Sequence, residues 1–475
     1  MKYLFYILIF GLIFPLVTVA GETQIIDSLQ NHLQRAKGAE KVMILIKLSE
    51  LNCSVSLSDC ENYAIRAINL AEKIHSDSLA GLASKSLGVS YYLLGKTPKA
   101  LSYFKKGYAF FKAANNKKGI SDCVNDIGLV YDAWSKYDEA YKYYKESFEI
   151  EKELKNEKGM ATSLLNIGNI NYYRKQYADA LDDFFQAFNH FSTINNLDGI
   201  GMAYLNIGVI YNQLMDFPKA IEFLQKSQDI YSKTGDVRNL SRVLNNMADI
   251  YSEHTKKYKK ALLLYDKVLQ MKINLGSKVG VALVKNNLGV LYGHMDNLSM
   301  AETYFRESLK IYNNLKDKSG QCLVYYNWGL ALQASGKHKA ALDKYLRSLA
   351  LAKAIGLKEY INDNYKNLFK SYAALGEYGH FNKYYNLYET NRDTLAEAKL
   401  KTQVAELETR YKVKQLIKKD QNLEQKSLNQ LRELRRLYVL LTIISLAFIA
   451  VIIALFFYFR LKRANSEVEN NKEQG

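Results

Sequence analysis

The sequence predicts an all-α protein built as a solenoid of repeated helix-turn-helix units. Three observations predict it. A small residue recurs at Gly88, Gly128, Gly168, Gly208, Ala248, Gly289 and Gly329, in steps of 40 or 41; such a period is the mark of a repeat architecture. Each interval splits into two helical patterns, for example GMATSLLNIGNINYYRK followed by YADALDDFFQAFNHFSTIN. Only 3 prolines occur in 475 residues, against 37 Tyr and 20 Phe. Few helix breakers and many aromatic rings suit a helical protein with much packing surface.

The other columns of the repeat say how its two helices meet. Tyr91, Tyr131, Tyr211, Tyr251 and Tyr292 stand three residues after the small residue. Twelve or thirteen after it come Ala100, Ala140, Ala180, Ala220, Ala261, Ala301 and Ala341, and four further on Phe104, Tyr144, Phe184, Leu224, Tyr265, Phe305 and Tyr345. The small residue lets the first helix approach its partner, and the Ala and large apolar columns form the interlocking face of the second. Pro98 and Pro218 share the column two before the Ala, where a second helix should begin; proline suits a first turn, whose N–H has no partner anyway.

In chain order, MKYLFYILIFGLIFPLVTVAGETQ has one positive charge at Lys2, an apolar run broken by Pro15, and small residues up to Ala20. Residues 1–20 therefore read as a signal peptide, with an uncleaved anchor as the alternative. Residues 21–80 read as degenerate capping helices with an insertion around Ser54 to Asp59. Residues 81–360 hold seven units, and 361–390 a degenerate cap where Phe369 and Phe381 replace small residues. Terminal units have one neighbour, so atypical faces are expected. Residues 391–436 lack Gly and Pro; Leu400, Val404, Leu407 and Tyr411 keep a 4-3-4 spacing, the seam of a coiled-coil stalk through which the chain would form a homodimer. A solitary charged helix is the alternative. Leu437–Phe459 carries no charge and is long enough, at about 35 Å of helix, to cross a ~30 Å hydrocarbon core. Residues 460–475 form a short tail. Arginines flank both sides of the span, so the leader sets the orientation: repeats outside, tail inside.

The net charge of +17 is spread along the chain. In an exported protein this excludes nucleic acid as the expected partner and reads as solvated helix faces. In such a protein a Cys53–Cys60 disulfide would close a short loop, whereas Cys123 and Cys322 fall on apolar helix positions and read as buried thiols. The seven histidines are scattered, no Cys or His pair has metal-ligand spacing, and no phosphate-cradling glycine loop occurs. Ser147, Ser227, Ser308 and Ser348 share one column and read as packing residues. Neither a catalytic site, a cofactor nor a metal is expected.

Gly168, Ala180 and Phe184, with the tyrosine three after the small residue in most units, resemble the tetratricopeptide repeat. The usual unit has 34 residues; this 40-residue unit resembles the extended form of kinesin light chain and related peptide-binding proteins. The resemblance implies a right-handed solenoid over about residues 41–387. It also implies that the column two before the small residue faces a concave groove: Asp126, Asn166, Asn206, Asn246, Asn287, Asn327 and Asn367. An amide both donates and accepts, so such a ladder can hold the backbone of an extended protein or peptide ligand. Asn125, Asn245 and Asn286, one residue earlier, and Asn212, Tyr172 and Asp132, four after the glycine, would then set selectivity. The same amides could instead bond from unit to unit and fix the stacking. The order of segments resembles periplasmic sensor halves of Bacteroidetes-type histidine kinases and transcription regulators, with only RLKRANSEVENNKEQG after the span. The expected protein is a single-pass component of a bacterial inner membrane, repeats in the periplasm, acting as a sensor input; the alternative is an adaptor that assembles envelope proteins without signalling.

Overall fold

Helices follow one another along the described chain, joined by short turns. The computed structural model describes residues 25–53, 56–391 and Arg435. All but Arg435 belong to one compact unit, residues 1–409. The expected leader, membrane span and tail, and the stalk apart from Asn391 and Arg435, lie outside the described residues. Among the described residues no helix is long and apolar enough to cross a membrane.

The described residues form nineteen helices and no strand. A first helix, α1 (25–35), precedes the pairs. These run α2 (Gly38–Asn52) with α3 (Leu57–Lys73), α4 (Asp77–Leu93) with α5 (Thr97–Ala113), and α6 (Lys117–Ala133) with α7 (Tyr137–Glu153). Next are α8 (Glu157–Tyr173) with α9 (Tyr177–Thr193), α10 (Leu197–Gln213) with α11 (Phe217–Thr234), and α12 (Val237–Glu253) with α13 (Tyr258–Asn274). The series ends on α14 (Lys278–His294) with α15 (Leu298–Asn314), α16 (Lys318–Ala334) with α17 (His338–Ile355), and α18 (Lys358–Ala374) with α19 (378–391).

Within a pair the small residue admits the large one. A Cβ on Gly168 would stand 2.6 Å from the Phe184 ring, and the same holds for Gly88 with Phe104, Gly289 with Phe305 and Gly329 with Tyr345. Phe184 and its column mates are buried. Pro98 and Pro218 sit in the first turns of α5 and α11. The serine column is buried too, and Ser227 and Ser308 donate to the carbonyls of Gly201 and Ala282 on the paired helix at 2.7 and 2.6 Å.

Between pairs the six first helices from α6 to α16 begin on a polar cap. Asn116, Asn156, Asn196, Asp236, Ser277 and Asp317 each accept a hydrogen bond from the N–H three residues on. That satisfies one of the four unpaired donors of a helix start. First helices touch their counterparts in neighbouring units at almost every step, and second helices make no comparable contact. The first helices therefore line the shorter, inner side of the stack, and the second helices the outer side.

Near the N-terminus the structure differs from expectation. The insertion expected from Ser54 to Asp59 is shorter, because Leu57, Ser58 and Asp59 already belong to α3, with Ser56 as its cap accepting from the Asp59 N–H at 3.3 Å. The Ser-x-x-Asp pattern is a helix start, which the expectation of a loop overlooked. Cys53 and Cys60 are paired as a disulfide with their Cα atoms 4.8 Å apart. Cys123 and Cys322 are free and buried, and burial pushes the Cys123 thiol up to about 12.

Candidate peptide-binding groove

The residues two before the small column stand on the inner first helices, and four of them reach the preceding unit. Asn166 Nδ2 donates to Asn125 Oδ1 at 2.8 Å, and Asn327 Nδ2 to Asn286 Oδ1 at 3.2 Å. Asn287 Nδ2 reaches Asn245 Oδ1 at 3.4 Å and Asp249 Oδ1 at 3.2 Å, while Asn367 Nδ2 reaches the Tyr326 hydroxyl at 3.4 Å. Each rung joins the column to the residue one earlier in the unit before.

Two rungs in the middle are broken for a reason visible in that second column. Opposite Asn206 and Asn246 it holds Leu165 and Leu205, both buried apolar side chains. Asn246 turns to its own helix and donates to the Arg242 carbonyl at 3.1 Å. Asn206, half-buried, makes no side-chain hydrogen bond among the described residues.

At Asp126 the column changes chemistry. α6 and α8 approach each other least among neighbouring first helices, and a polar cleft of about 320 Å³ opens there, lined by Asp126, Asn125, Lys85, Lys118 and Glu151 among others. Glu151, only 2% exposed, accepts from Ser121 Oγ at 2.6 Å, Asn156 Nδ2 at 2.6 Å and Lys118 Nζ at 2.8 Å. Lys118 also meets Asp122 at 2.7 Å, and Asp122 meets Lys85 at 3.3 Å. Every carboxylate of this network has a donor except Asp126, whose Oδ2 is buried with no partner. Burial pushes the Asp126 carboxyl up to about 7, with Lys85 pulling the other way.

Other predicted groove residues are also short of partners. The Asn212 Oδ1 is buried without a donor. Burial raises the pKa of Asp132 and of Tyr172, whose ring lies 5.5 Å from Tyr173 and 5.9 Å from Tyr177. The Tyr144 hydroxyl is buried and unpaired, although its column mates are satisfied: Tyr265 donates to Asp249 at 2.5 Å and Tyr345 to Gln333 at 2.7 Å. Asp249 is pushed up to about 7 by burial, against the Tyr265 hydrogen bond. Asn245 donates to the same carboxyl at 2.9 Å.

Sequence reasoning missed Lys85, Lys118, Asp122 and Glu151. A signal for Glu151 exists: it stands in a column that reads Phe111, Phe191, Tyr231 and Tyr312 in four other units, with Lys272 and Ala352 in two more. Among the described residues no three His, Cys, Asp or Glu side chains gather to hold a metal ion.

Models of the tetratricopeptide repeat match residues 121–154, 199–274 and 280–354. The matched stretches are tetratricopeptide repeats. No curated protein matches the chain. Among solved structures the chain is similar to a Rap protein complexed with Competence and Sporulation Factor, at 14% identity and TM-score 0.53, over 78% of this chain and 99% of that one. It is equally similar to the apo form of the quorum sensor NprR from B. thuringiensis, at 14% identity and TM-score 0.53, over 79% and 99% of the two chains. A STAND-type signal-transduction ATPase with a tetratricopeptide repeat sensor, from Pyrococcus horikoshii, aligns at 15% identity and TM-score 0.50, over 71% of this chain and 54% of that one. At these identities the likeness is one of fold.

Proposed function

We propose that the inner face of the repeats binds an extended segment of a partner protein, and that the chain is a binding module rather than an enzyme. The observation that carries this reading is Asp126, half-buried at the edge of an open polar cleft, with its Oδ2 buried and without a partner. A buried polar group left unpaired costs roughly 1–3 kcal/mol, and a ligand N–H placed there recovers it. Asn125 lines the same cleft and Asn166 bonds to it; that bond engages one donor of Asn166 and one acceptor of Asn125, so each amide keeps three of its four hydrogen-bonding positions. A peptide backbone, with donors and acceptors alternating, matches that set. Asn206, Asn212, Tyr172 and Asp132 extend the contact surface and select among side chains. The fold neighbours support the reading in kind, one being complexed with a factor and another a quorum sensor.

The wider setting in this reading is an exported chain, held in a bacterial inner membrane by Leu437–Phe459, with its repeats in the periplasm and residues 391–436 as a dimeric stalk. It would serve as the input part of a signalling system. A second reading, an adaptor that gathers envelope proteins, is favoured by one observation: Asn166, Asn287, Asn327 and Asn367 all bond to the preceding unit, so much of the ladder already serves the stacking.

Crosslinking followed by purification, comparing wild type with Asp126→Ala/Asn206→Ala, tests the groove. Neither residue holds a neighbouring unit, so the variant should fold and lose crosslinked partners. Identical partner sets from a folded variant would remove the groove from the account.

A further inference from the structure

The outer face carries a second cleft that has nothing to do with the amide ladder. It opens between α15 and α17 over α16, encloses about 430 Å³, and its lining includes Arg306 and Lys310 from α15, Tyr325 and Trp328 from α16, and Lys344 and Arg347 from α17. No carboxylate is among its lining residues, while four of them are cations.

Three of the cations have acidic neighbours, and one does not. Arg306 bonds Glu302 at 2.9 Å, and Asp343 serves both Lys344 at 2.9 Å and Arg347 at 3.0 Å. Lys310 is exposed and forms no ion pair among the described residues. Two carboxylates thus face four cations, and the cleft keeps an excess of positive charge. The floor adds an independent demand for an acceptor: Trp328 is 6% exposed, and its Nε1–H is buried without a partner. The Trp328 ring is held in place, with Phe305 stacked at 6.1 Å and Lys344 Nζ 4.3 Å from its centre. Concentrated positive charge beside low-dielectric walls draws counter-ions, and guanidinium and ammonium donors form the strong, charge-assisted hydrogen bonds with oxyanions.

We infer that this outer cleft is a binding site for an oxyanion group, a carboxylate or a phosphate, held by Lys310, Arg347, Arg306 and Lys344 above Trp328. The anion accepts from the cations and takes the place of water around Lys310. Glu302 and Asp343 offset two of the four positive charges, and the mutual repulsion that remains is relieved by a further anion.

Trp134 and Trp328 are the chain's two tryptophans, so Trp134→Phe in the full-length chain leaves Trp328 as the fluorescent reporter. Inorganic phosphate and a tetraglutamate peptide are titrated separately at fixed ionic strength set with sodium chloride. A saturable change in Trp328 emission is expected with at least one probe; phosphate alone would assign a phosphoryl source, tetraglutamate alone an acidic segment. Lys310→Ala/Arg347→Ala, both at exposed side chains, should weaken binding at least about tenfold, the scale of losing charge-assisted bonds. Calorimetric titration of the chain with both tryptophans intact repeats the measurement should Trp134→Phe fail to fold. No saturable response to either probe, or an unchanged midpoint in the double variant, would overturn the inference.

Discussion

Asp126 and Asn166 occupy the same column of the repeat in successive units, yet the structure uses them differently. Asn166 bonds backward to Asn125; Asp126 has Lys85 rather than an amide in the column of Asn125 one unit back, and its Oδ2 is buried without a partner. Burial raises the Asp126 carboxyl to about 7, above the ~3.9 of an unfolded chain. The folded state then holds a proton that the unfolded state releases between about pH 4 and 7, so stability is fully present below that window and falls as pH rises through it. Asp126→Asn keeps the shape and removes the titration. Urea unfolding of both proteins across that window should show the variant gaining on wild type as pH rises; a difference independent of pH would contradict the buried, unpaired carboxyl. The column itself is plain in the sequence, since it repeats. Its partners are not, because a rung needs a hydrogen-bonding side chain 41 or 42 residues back, and Leu165 and Leu205 remove it at two steps. Glu151 shows the same limit: only when Lys118, Ser121 and Asn156 are seen around it does its place in an aromatic column make sense.

At the scale of the helix, legibility follows packing. The small residue, the Ala and the large apolar residue are fixed by close contact between paired helices, so they recur and can be read. Helix starts obey chemistry that tolerates exchange among Asn, Asp and Ser, so the cap column Asn116, Asn156, Asn196, Asp236, Ser277 and Asp317 is less conspicuous, though it recurs with the same period. Glycine stands three after five of these six caps, Asn239 taking the place after Asp236: a Cβ on Gly119 or Gly199 would stand 2.3 Å from the ring of Phe111 or Phe191 in the preceding helix. Asn196→Ala should cost about 1 kcal/mol by removing the bond to the Gly199 N–H, measured as a lower urea midpoint with an unchanged slope. An unchanged midpoint would mean that the packing of Phe191 on Gly199 fixes the start of α10 without the cap.

For the whole molecule, the repeat explains how the described residues bury their apolar side chains without a single central core: separate apolar clusters run along the stack, each between a few neighbouring helices. Each helix pair leans mainly on its neighbours, so interface terms set stability and terminal units are the weakest. The same architecture yields two surfaces of different character, an inner one with half-used amides and a buried acid, and an outer one where second helices part and cations gather. The central claim is that the inner surface holds an extended peptide. Its most direct test is calorimetric titration of the full-length chain with a peptide taken from a crosslinked partner segment. Wild type and Lys310→Ala should bind it alike, and Asp126→Ala/Asn206→Ala should bind at least about tenfold more weakly, in line with two lost hydrogen bonds. Equal affinity in all three proteins would contradict the claim and leave the amide ladder as a stacking device.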